Sequence, residues 1–244
     1  MFAKASLPMY DWPELRAATD AFWAGLAHYA RVSGVLDRRG GYDVLWRDPA
    51  LIFSQTCGYP FTHEFAGVFK YVATPHYAAD GCDAANYSSL IFAREPLRPT
   101  QFEHAKPAVN SLDSMSGMLA LKLLFAAHPR ALAAPLMTGS HMQSMAAVQA
   151  GSADVCAIDA VVVALARIHR PQLLAGLFEI ARSPKVPGLP FVTRSANVVI
   201  LQDALHKVLA DTALAKARSA LLLTGFSILP DDAYTVIERL DAQL

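Results

Sequence analysis

Hydrophobic and polar positions alternate along the chain with two different periods. Short apolar runs predict strands, and longer stretches with apolar positions three and four residues apart predict helices. Clusters of Gly, Pro, Asn and Asp separate the two kinds of segment. The predicted strands are residues 2–8, 42–46, 51–54, 69–74, 88–93, 107–110, 154–158 and 177–181.

The predicted helices follow many of these strands and fill the C-terminal third. They are residues 12–30, 116–128, 140–150, 159–168, 197–209, 213–223 and 231–240. Strands that alternate with helices predict an α/β fold with parallel pairing and right-handed crossovers. Ligands bind such sheets where the carboxyl ends of strands lead into helices.

Composition narrows the class of protein. The chain has 244 residues, of which 54% are hydrophobic and 17% charged, so it is not a disordered chain. Its 21 Lys and Arg residues balance 21 Asp and Glu residues, which argues against nucleic acid as a partner. Lys122 and Asp159 interrupt the longest apolar candidates, so no membrane span is predicted.

The first residues do not have the pattern of a secretion signal, because Asp11 and Glu14 interrupt any apolar stretch. A cytoplasmic location is therefore expected as the sequence is written, and a periplasmic one if a leader has been removed.

The three cysteines, Cys57, Cys82 and Cys156, form no zinc pattern and are expected to be reduced, with a bridge between Cys57 and Cys82 left open. Dinucleotide, P-loop, metalloprotease and nucleophile-elbow motifs are missing from the sequence, so no cofactor and no metal are expected. Cys57 suggests a nucleophile, but the nearest base, His63, is six residues further on.

The first candidate site is the segment 110–117, between a predicted strand and a predicted helix. Ser114, Ser116 and Gly117 stand at the helix start, where amide groups and the positive end of the helix dipole bind phosphate-like anions. The alternative is an ordinary N-cap formed by Ser114 or Ser116.

Two further helix starts carry polar residues. Ser140 and Gln143 fit a capping box, which places His141 in the first turn beside a second set of amides. Asp159 ends an apolar strand and opens a helix, so it is either an N-cap or a carboxylate that faces the ligand. Both interpretations stay open for each helix start.

The N-terminal part offers Tyr10 and the loop 54–59 as walls of a cleft. Thr56 is a hydroxyl that can donate to an anion. The alternative is that Tyr10 packs in a hydrophobic seam and Gly58 only makes a turn.

Taken in order, Tyr10, the loop 54–59, the segment 110–117, Ser140-His141 and Asp159 resemble the phosphate, phosphite and phosphonate substrate-binding proteins of ABC transporters. These proteins belong to the type 2 periplasmic binding protein superfamily. The similarity runs over nearly the whole chain, and each motif alone is weak.

The resemblance implies an α/β fold of two lobes with a ligand cleft between them. Lobe one would be residues 1–76 and 187–244, and lobe two would be residues 77–186. It also implies a set of ligand-binding residues: Tyr10, Thr56, Ser114, Met115, Ser116, His141 and Asp159.

By resemblance, Ser114, Ser116, His141 and the backbone N–H of Met115 would bind phosphoryl oxygens. Asp159 would contact the distal polar group of the ligand. This sequence has Met115 where the family usually has a hydroxyl, and it offers no second carboxylate for an amine, which argues against an aminoalkylphosphonate.

The favoured hypothesis is a solute-binding protein that closes on phosphate, phosphite or a small phosphonate for an ABC-type transporter, with a permease as its partner. The alternative is a leaderless cytoplasmic enzyme on the same scaffold that acts on a small carboxylate or a phosphorylated metabolite.

Overall fold

A computed structural model describes residues 3–102, 104–127 and 132–244. Contacts within the chain divide it into two units. The first unit is Met1–Ala78 with Pro187–Asp231, and the second is Ala79–Val186 with Asp232–Leu244. The lobes expected at 1–76 with 187–244 and at 77–186 stay a prediction, and this division places residues 232–244 with the second unit.

The strands of the described residues are short. They are β1 Lys4–Ser6, β2 Val35–Leu36, β3 Leu51–Gln55, β4 Lys70–Tyr77, β5 Cys82–Asp83, β6 Asn86–Tyr87, β7 Ser89–Ala93, β8 Pro107–Val109, β9 Leu136–Met137, β10 Val155–Asp159, β11 Phe178–Arg182, β12 Val186–Pro187, β13 Phe191–Thr193 and β14 Leu223–Ser227.

The α-helices of the same residues are α1 Arg16–Ala30, α2 Tyr42–Arg47, α3 Gly58–Thr62, α4 Ala120–Phe125, α5 His141–Gln149, α6 Ala160–His169, α7 Val198–Ala210, α8 Ala215–Ala220 and α9 Thr235–Asp241. A π-helical segment, Met115–Leu119, leads directly into α4. Single 3₁₀ turns are Pro13–Leu15, Pro99–Gln101, Pro171–Leu174 and Thr212–Leu214.

The first unit is built on a mixed sheet in the order β14-β4-β13-β3-β1-β2. β1 pairs in parallel with β2 and β3, whereas β13 and β14 pair antiparallel with their neighbours. Aromatic and aliphatic side chains of α1 and α7 form its core with Phe53 and Phe191 of the sheet. The sequence predicted parallel pairing, and this was wrong for three of the five strand pairs of this sheet, which are β14–β4, β4–β13 and β13–β3.

The second unit is built on a sheet in the order β11-β7-β10-β8-β9. β10, β8 and β9 are neighbours that run parallel, and β7 pairs antiparallel with both β10 and β11. A small sheet in the order β12-β6-β5 accompanies it. The three parallel strands therefore end at one edge of the main sheet, and each leads into a helical segment.

The predicted strand 42–46 was wrong, because α2 occupies Tyr42–Arg47. Tyr42 and Trp46 lie one helical turn apart with ring centroids 4.7 Å from each other. Trp46 is buried and its indole N–H donates to Ser54 Oγ at 3.1 Å. Helical spacing brings the two rings together, which an extended strand would not do.

The predicted helix 213–223 is shorter in the structure. Helix α8 ends at Ala220, and the chain turns at Leu222 (φ 56°) into β14, which pairs with β4. A strand therefore closes one edge of the first sheet where the sequence predicted a helix end.

Candidate functional site

The ends of β10, β8 and β9 meet at one edge of the second unit's sheet. Val155 and Cys156 are in register with Pro107 and Ala108, and Ala108 and Val109 are in register with Leu136 and Met137. The segment 110–117, the turn 138–141 and Asp159 follow these strand ends. The topology thus assembles at one edge the three polar segments that the sequence analysis singled out.

Ser114 begins the π-helical segment. Its Oγ accepts a hydrogen bond from the Gly117 N–H at 2.9 Å, and its carbonyl accepts one from the Leu119 N–H at 3.0 Å. The predicted N-cap is confirmed, and the Ser114 hydroxyl still has its own hydrogen to donate. The Met115 side chain is buried, and the role that the resemblance implies for its backbone N–H stays a prediction.

Ser116 and His141 are in direct contact. Ser116 Oγ lies 2.8 Å from His141 Nε2, and Ser116 is buried. Burial lowers the pKa of His141 to about 4, against a smaller opposing effect of the Ala157 backbone, so the ring is neutral at neutral pH. The Ala157 backbone is the other hydrogen-bonding group beside the ring.

The turn before α5 is tied to β8. Ser140 caps α5 by accepting from the Gln143 N–H at 3.2 Å. Thr138 Oγ1 donates to the Val109 carbonyl at 3.0 Å and lies 2.7 Å from Ser144 Oγ. Sequence reasoning gave Thr138 no role, and here it fixes the start of α5 against the neighbouring strand end.

Asp159 ends β10 and caps α6. Its Oδ1 accepts hydrogen bonds from the Val161 N–H at 2.7 Å and the Val162 N–H at 3.3 Å, and the residue is 1% exposed. The capping interpretation is therefore confirmed. Contact with a ligand stays a prediction for Asp159.

Asn110 follows β8 directly, and its carboxamide lies against the π-helical segment. Its Oδ1 is 2.1 Å from the position that a β-carbon on Gly117 would take. This atom is buried and makes no hydrogen bond within the described part of the chain. Asn110 is the first residue of the predicted segment 110–117, but no role is predicted for it, since a lone Asn after a strand is an ordinary turn residue.

In the first unit, Tyr10 packs edge to face on Tyr77 with ring centroids 5.3 Å apart. Gln55 Nε2 donates to the Tyr77 hydroxyl and to the Leu189 carbonyl, both at 3.0 Å. Tyr10, Gln55 and Tyr77 line a small, mostly apolar cavity together with Phe22. The packing interpretation of Tyr10 fits this arrangement, and a ligand contact stays a prediction.

Thr56 is fully buried in the first unit. Its N–H donates to the Pro190 carbonyl at 3.2 Å, and its Oγ1 donates to the Cys57 carbonyl at 3.3 Å. Donation from Thr56 to an anion therefore requires its hydroxyl to leave the Cys57 carbonyl, and it also stays a prediction.

The structure gives little support to thiol chemistry. Cys57, Cys82 and Cys156 are free thiols. Burial, with the charges of Asp159 and Asp80, raises the pKa of Cys82 to about 12, and burial raises the pKa of Cys156. Cys57 stands before α3 and His63 stands after it, and the His63 ring stacks on Tyr59 at 3.9 Å between centroids.

The described residues lack two features. They contain no group of three or more metal-binding side chains. None of the helices they form is both long enough and apolar enough to cross a membrane.

Comparison with known proteins gives a family and a fold. A family model described as "ABC transporter, phosphonate, periplasmic substrate-binding protein" matches residues 50–234. No curated protein matches the chain.

Among solved structures, PhnD1 from Prochlorococcus marinus in complex with methylphosphonate is similar, with a TM-score of 0.80, 13% identity and coverage of 99% of this chain and 97% of that one. A binding protein component of an ABC phosphonate transporter from Pseudomonas aeruginosa has a TM-score of 0.78 and 17% identity, with coverage of 98% and 85%. XAC2383 from Xanthomonas citri bound to chloride has a TM-score of 0.73 and 18% identity, with coverage of 99% and 96%. These likenesses confirm the predicted α/β fold of the periplasmic binding protein class.

Proposed function

The chain belongs to the family of periplasmic substrate-binding proteins of phosphonate ABC transporters, and we propose that its ligand is phosphate, phosphite or a small uncharged-tail phosphonate. Its role is to bind a small solute for an ABC transporter, and a permease is the partner that this family implies.

The observation that carries the ligand class is the contact between Ser116 and His141. Ser116 Oγ at the start of the π-helical segment lies 2.8 Å from His141 Nε2 at the start of α5, at the edge of the sheet where β8 and β9 end. Hydroxyl hydrogens and helix-start amides are the donors that hold an oxyanion without a cation. A neutral chain that binds a single anion in this way needs no excess of Lys and Arg.

His141 strengthens the donor next to it. We infer the tautomer with the ring hydrogen on Nε2, in which His141 donates to Ser116 Oγ and the Ser116 hydroxyl directs its own hydrogen at a ligand oxygen. Hydrogen bonds in such a chain polarise one another, so the hydroxyl becomes a better donor. Ser114 and the Met115 N–H complete the proposed set on this side of the ligand.

Asp159 sets the character of the other end of the ligand. One carboxylate oxygen already caps α6, and we infer that the side chain accepts a hydrogen bond from a protonated oxygen of the ligand rather than an ion pair from an amine. We also propose, on the resemblance, that Tyr10 and Thr56 bind the ligand. These assignments rest on the resemblance and on the family match.

Titration calorimetry of the purified protein tests the ligand class. Phosphate, phosphite and methylphosphonate form the panel, and methanesulfonate is the control of similar shape. We expect heat from at least one phosphorus oxyanion and none from methanesulfonate. Silence across the phosphorus panel with heat from methanesulfonate would contradict the proposal.

A pair of matched variants then locates the site. Ser116→Ala removes the proposed donor, and Ser152→Ala makes the same change at an exposed position of the second unit. Binding should weaken in the first variant only. Equal binding by both variants would place the ligand elsewhere.

A further inference from the structure

Asn110 occupies an unusual place beside the proposed anion site. It follows β8, and its carboxamide reaches the π-helical segment at Gly117. A β-carbon on Gly117 would lie 2.1 Å from Asn110 Oδ1 and 3.0 Å from Ser114 Oγ. Only a glycine at position 117 leaves room for the carboxamide beside the Ser114 hydroxyl.

Within the described part of the chain, the carboxamide oxygen has no partner. Asn110 Oδ1 is buried and makes no hydrogen bond among residues 3–102, 104–127 and 132–244. The neighbouring polar groups are engaged with one another: Ser114 Oγ accepts from Gly117, and Ser116 Oγ pairs with His141. Leaving a buried polar group unpaired destabilises a fold, so Asn110 Oδ1 calls for a partner beyond these residues, such as a water molecule or a ligand oxygen.

A carboxamide can offer that partner a donor. Rotating the terminal amide by half a turn exchanges its oxygen and nitrogen, which differ little in shape, and puts an N–H where Oδ1 now lies. The unprotonated oxygens of a ligand oxyanion only accept hydrogen bonds. A bound oxyanion therefore favours the rotated amide, which presents an N–H donor.

We propose that Asn110 binds the oxyanion directly, donating a hydrogen bond from its carboxamide alongside Ser114, Ser116 and His141. This inference rests on the proposed function of the same site. It adds a neutral donor that contributes affinity without adding charge.

Two substitutions at position 110 distinguish ligand binding from packing. Asn110→Asp keeps the shape and places a carboxylate against the anion, so we expect affinity for the phosphorus oxyanion that the wild type binds to fall by about a hundredfold or more. Asn110→Ala removes the donor alone, and we expect a loss of about tenfold or more. Asn86→Asp is the matched control, because it adds the same charge at an exposed Asn of the second unit.

Thermal unfolding of each variant without ligand distinguishes a structural role of Asn110 from a role in ligand binding. Removal of an unpaired buried amide should leave the Asn110→Ala midpoint unchanged or raised. If both variants at position 110 bind like the wild type, or if their losses of affinity follow losses of folded protein, the inference is wrong.

A second measurement is made on the wild-type protein and does not depend on the stability of a variant. The side-chain amide signal of Asn110 in a nitrogen–proton NMR spectrum, assigned by its loss in Asn110→Asp, should shift when the oxyanion is added. The Asn86 amide signal should stay in place. A wild-type protein that binds none of the phosphorus panel would overturn the ligand class itself, whereas wild-type binding with an unmoved Asn110 signal would overturn only the role of Asn110.

Discussion

Ser116 Oγ and His141 Nε2 lie 2.8 Å apart although their helical segments follow different strands. The contact joins the π-helical segment after β8 to the helix after β9, and Thr138 reinforces the junction by donating to the Val109 carbonyl. Two segments far apart in sequence thus hold each other in place at the edge of the sheet.

This pair should act as a unit in binding. Ser116→Ala and His141→Asn each remove one half of the contact, and we expect each to weaken binding of the phosphorus oxyanion by about tenfold. The double variant should lose less than the product of the two single losses, because both single variants break the same interaction. Calorimetric titration of the four proteins measures the coupling, and fully independent losses would contradict it.

The buried imidazole of His141 should make stability depend on pH. Its folded-state pKa of about 4 lies below the ordinary value of 6.5. Protons therefore bind the unfolded chain more readily than the folded one between these values. This contribution is fully present above pH 6.5 and is lost as the pH falls toward 4, at a rate of at most about 1.4 kcal/mol per pH unit.

Denaturant unfolding at several pH values checks this expectation when the pH dependence of the unfolding free energy is compared between the wild type and a variant. His141→Asn should remove part of the slope between pH 6.5 and 4, whereas Ser152→Ala, at an exposed position of the same unit, should leave the slope unchanged. An identical slope in the wild type and in His141→Asn would show that the buried ring does not control the acid response.

Gly117 should tolerate no side chain while Asn110 is present. Gly117→Ala puts a β-carbon 2.1 Å from Asn110 Oδ1, and we expect it to lower the free energy of unfolding by about 1–3 kcal/mol. The same change in an Asn110→Ala background should cost less, since the blocking atom is gone. Denaturant unfolding of the four proteins supplies the cycle, and equal costs in the two backgrounds would argue against the contact.

Two substitutions of Asp159 should distinguish its role as a helix cap from a role in ligand binding. Asp159→Ala removes both capping bonds of α6, and we expect a loss of about 1 kcal/mol in unfolding free energy. Asp159→Asn keeps a carbonyl oxygen for the cap, so its stability should stay close to that of the wild type.

The affinity of Asp159→Asn for the phosphorus oxyanion should change even though its stability does not. If Asp159 accepts a hydrogen bond from a protonated ligand oxygen, then Asp159→Asn weakens binding. Tighter binding by Asp159→Asn would show that the carboxylate only repels the anion, and calorimetry distinguishes the two results.

The second unit's polar edge could be predicted from the sequence because each strand there carries a clear end signal. The apolar run that ends at Asp159 and the caps Ser114 and Ser140 mark the helix starts within a few residues of where the structure has them. A family resemblance ordered these signals into one site. The contact between Ser116 and His141 depends on β8 and β9 being neighbours, which no local pattern encodes.

Other features depend on contacts that the sequence does not reveal. The alternation around Tyr42 suggested a strand, yet burial of Trp46 against Ser54 favours a helix there. The residue in the left-handed conformation after α8 is Leu222 and not a glycine, so the sequence has no signal for the end of the helix there. The place of Asn110 depends on its contact with Gly117, seven residues further along the chain, which no local pattern encodes.

The division of the chain has a consequence for its synthesis. The first unit needs residues up to Asp231, and the second needs α9, with Ile237 and Tyr234 buried, from residues 232–244. A ribosome must therefore release almost the whole sequence before either unit has all of its parts. Nascent chains of this protein should expose unfinished sheet edges for most of translation, and their survival should depend on chaperones that shield such edges.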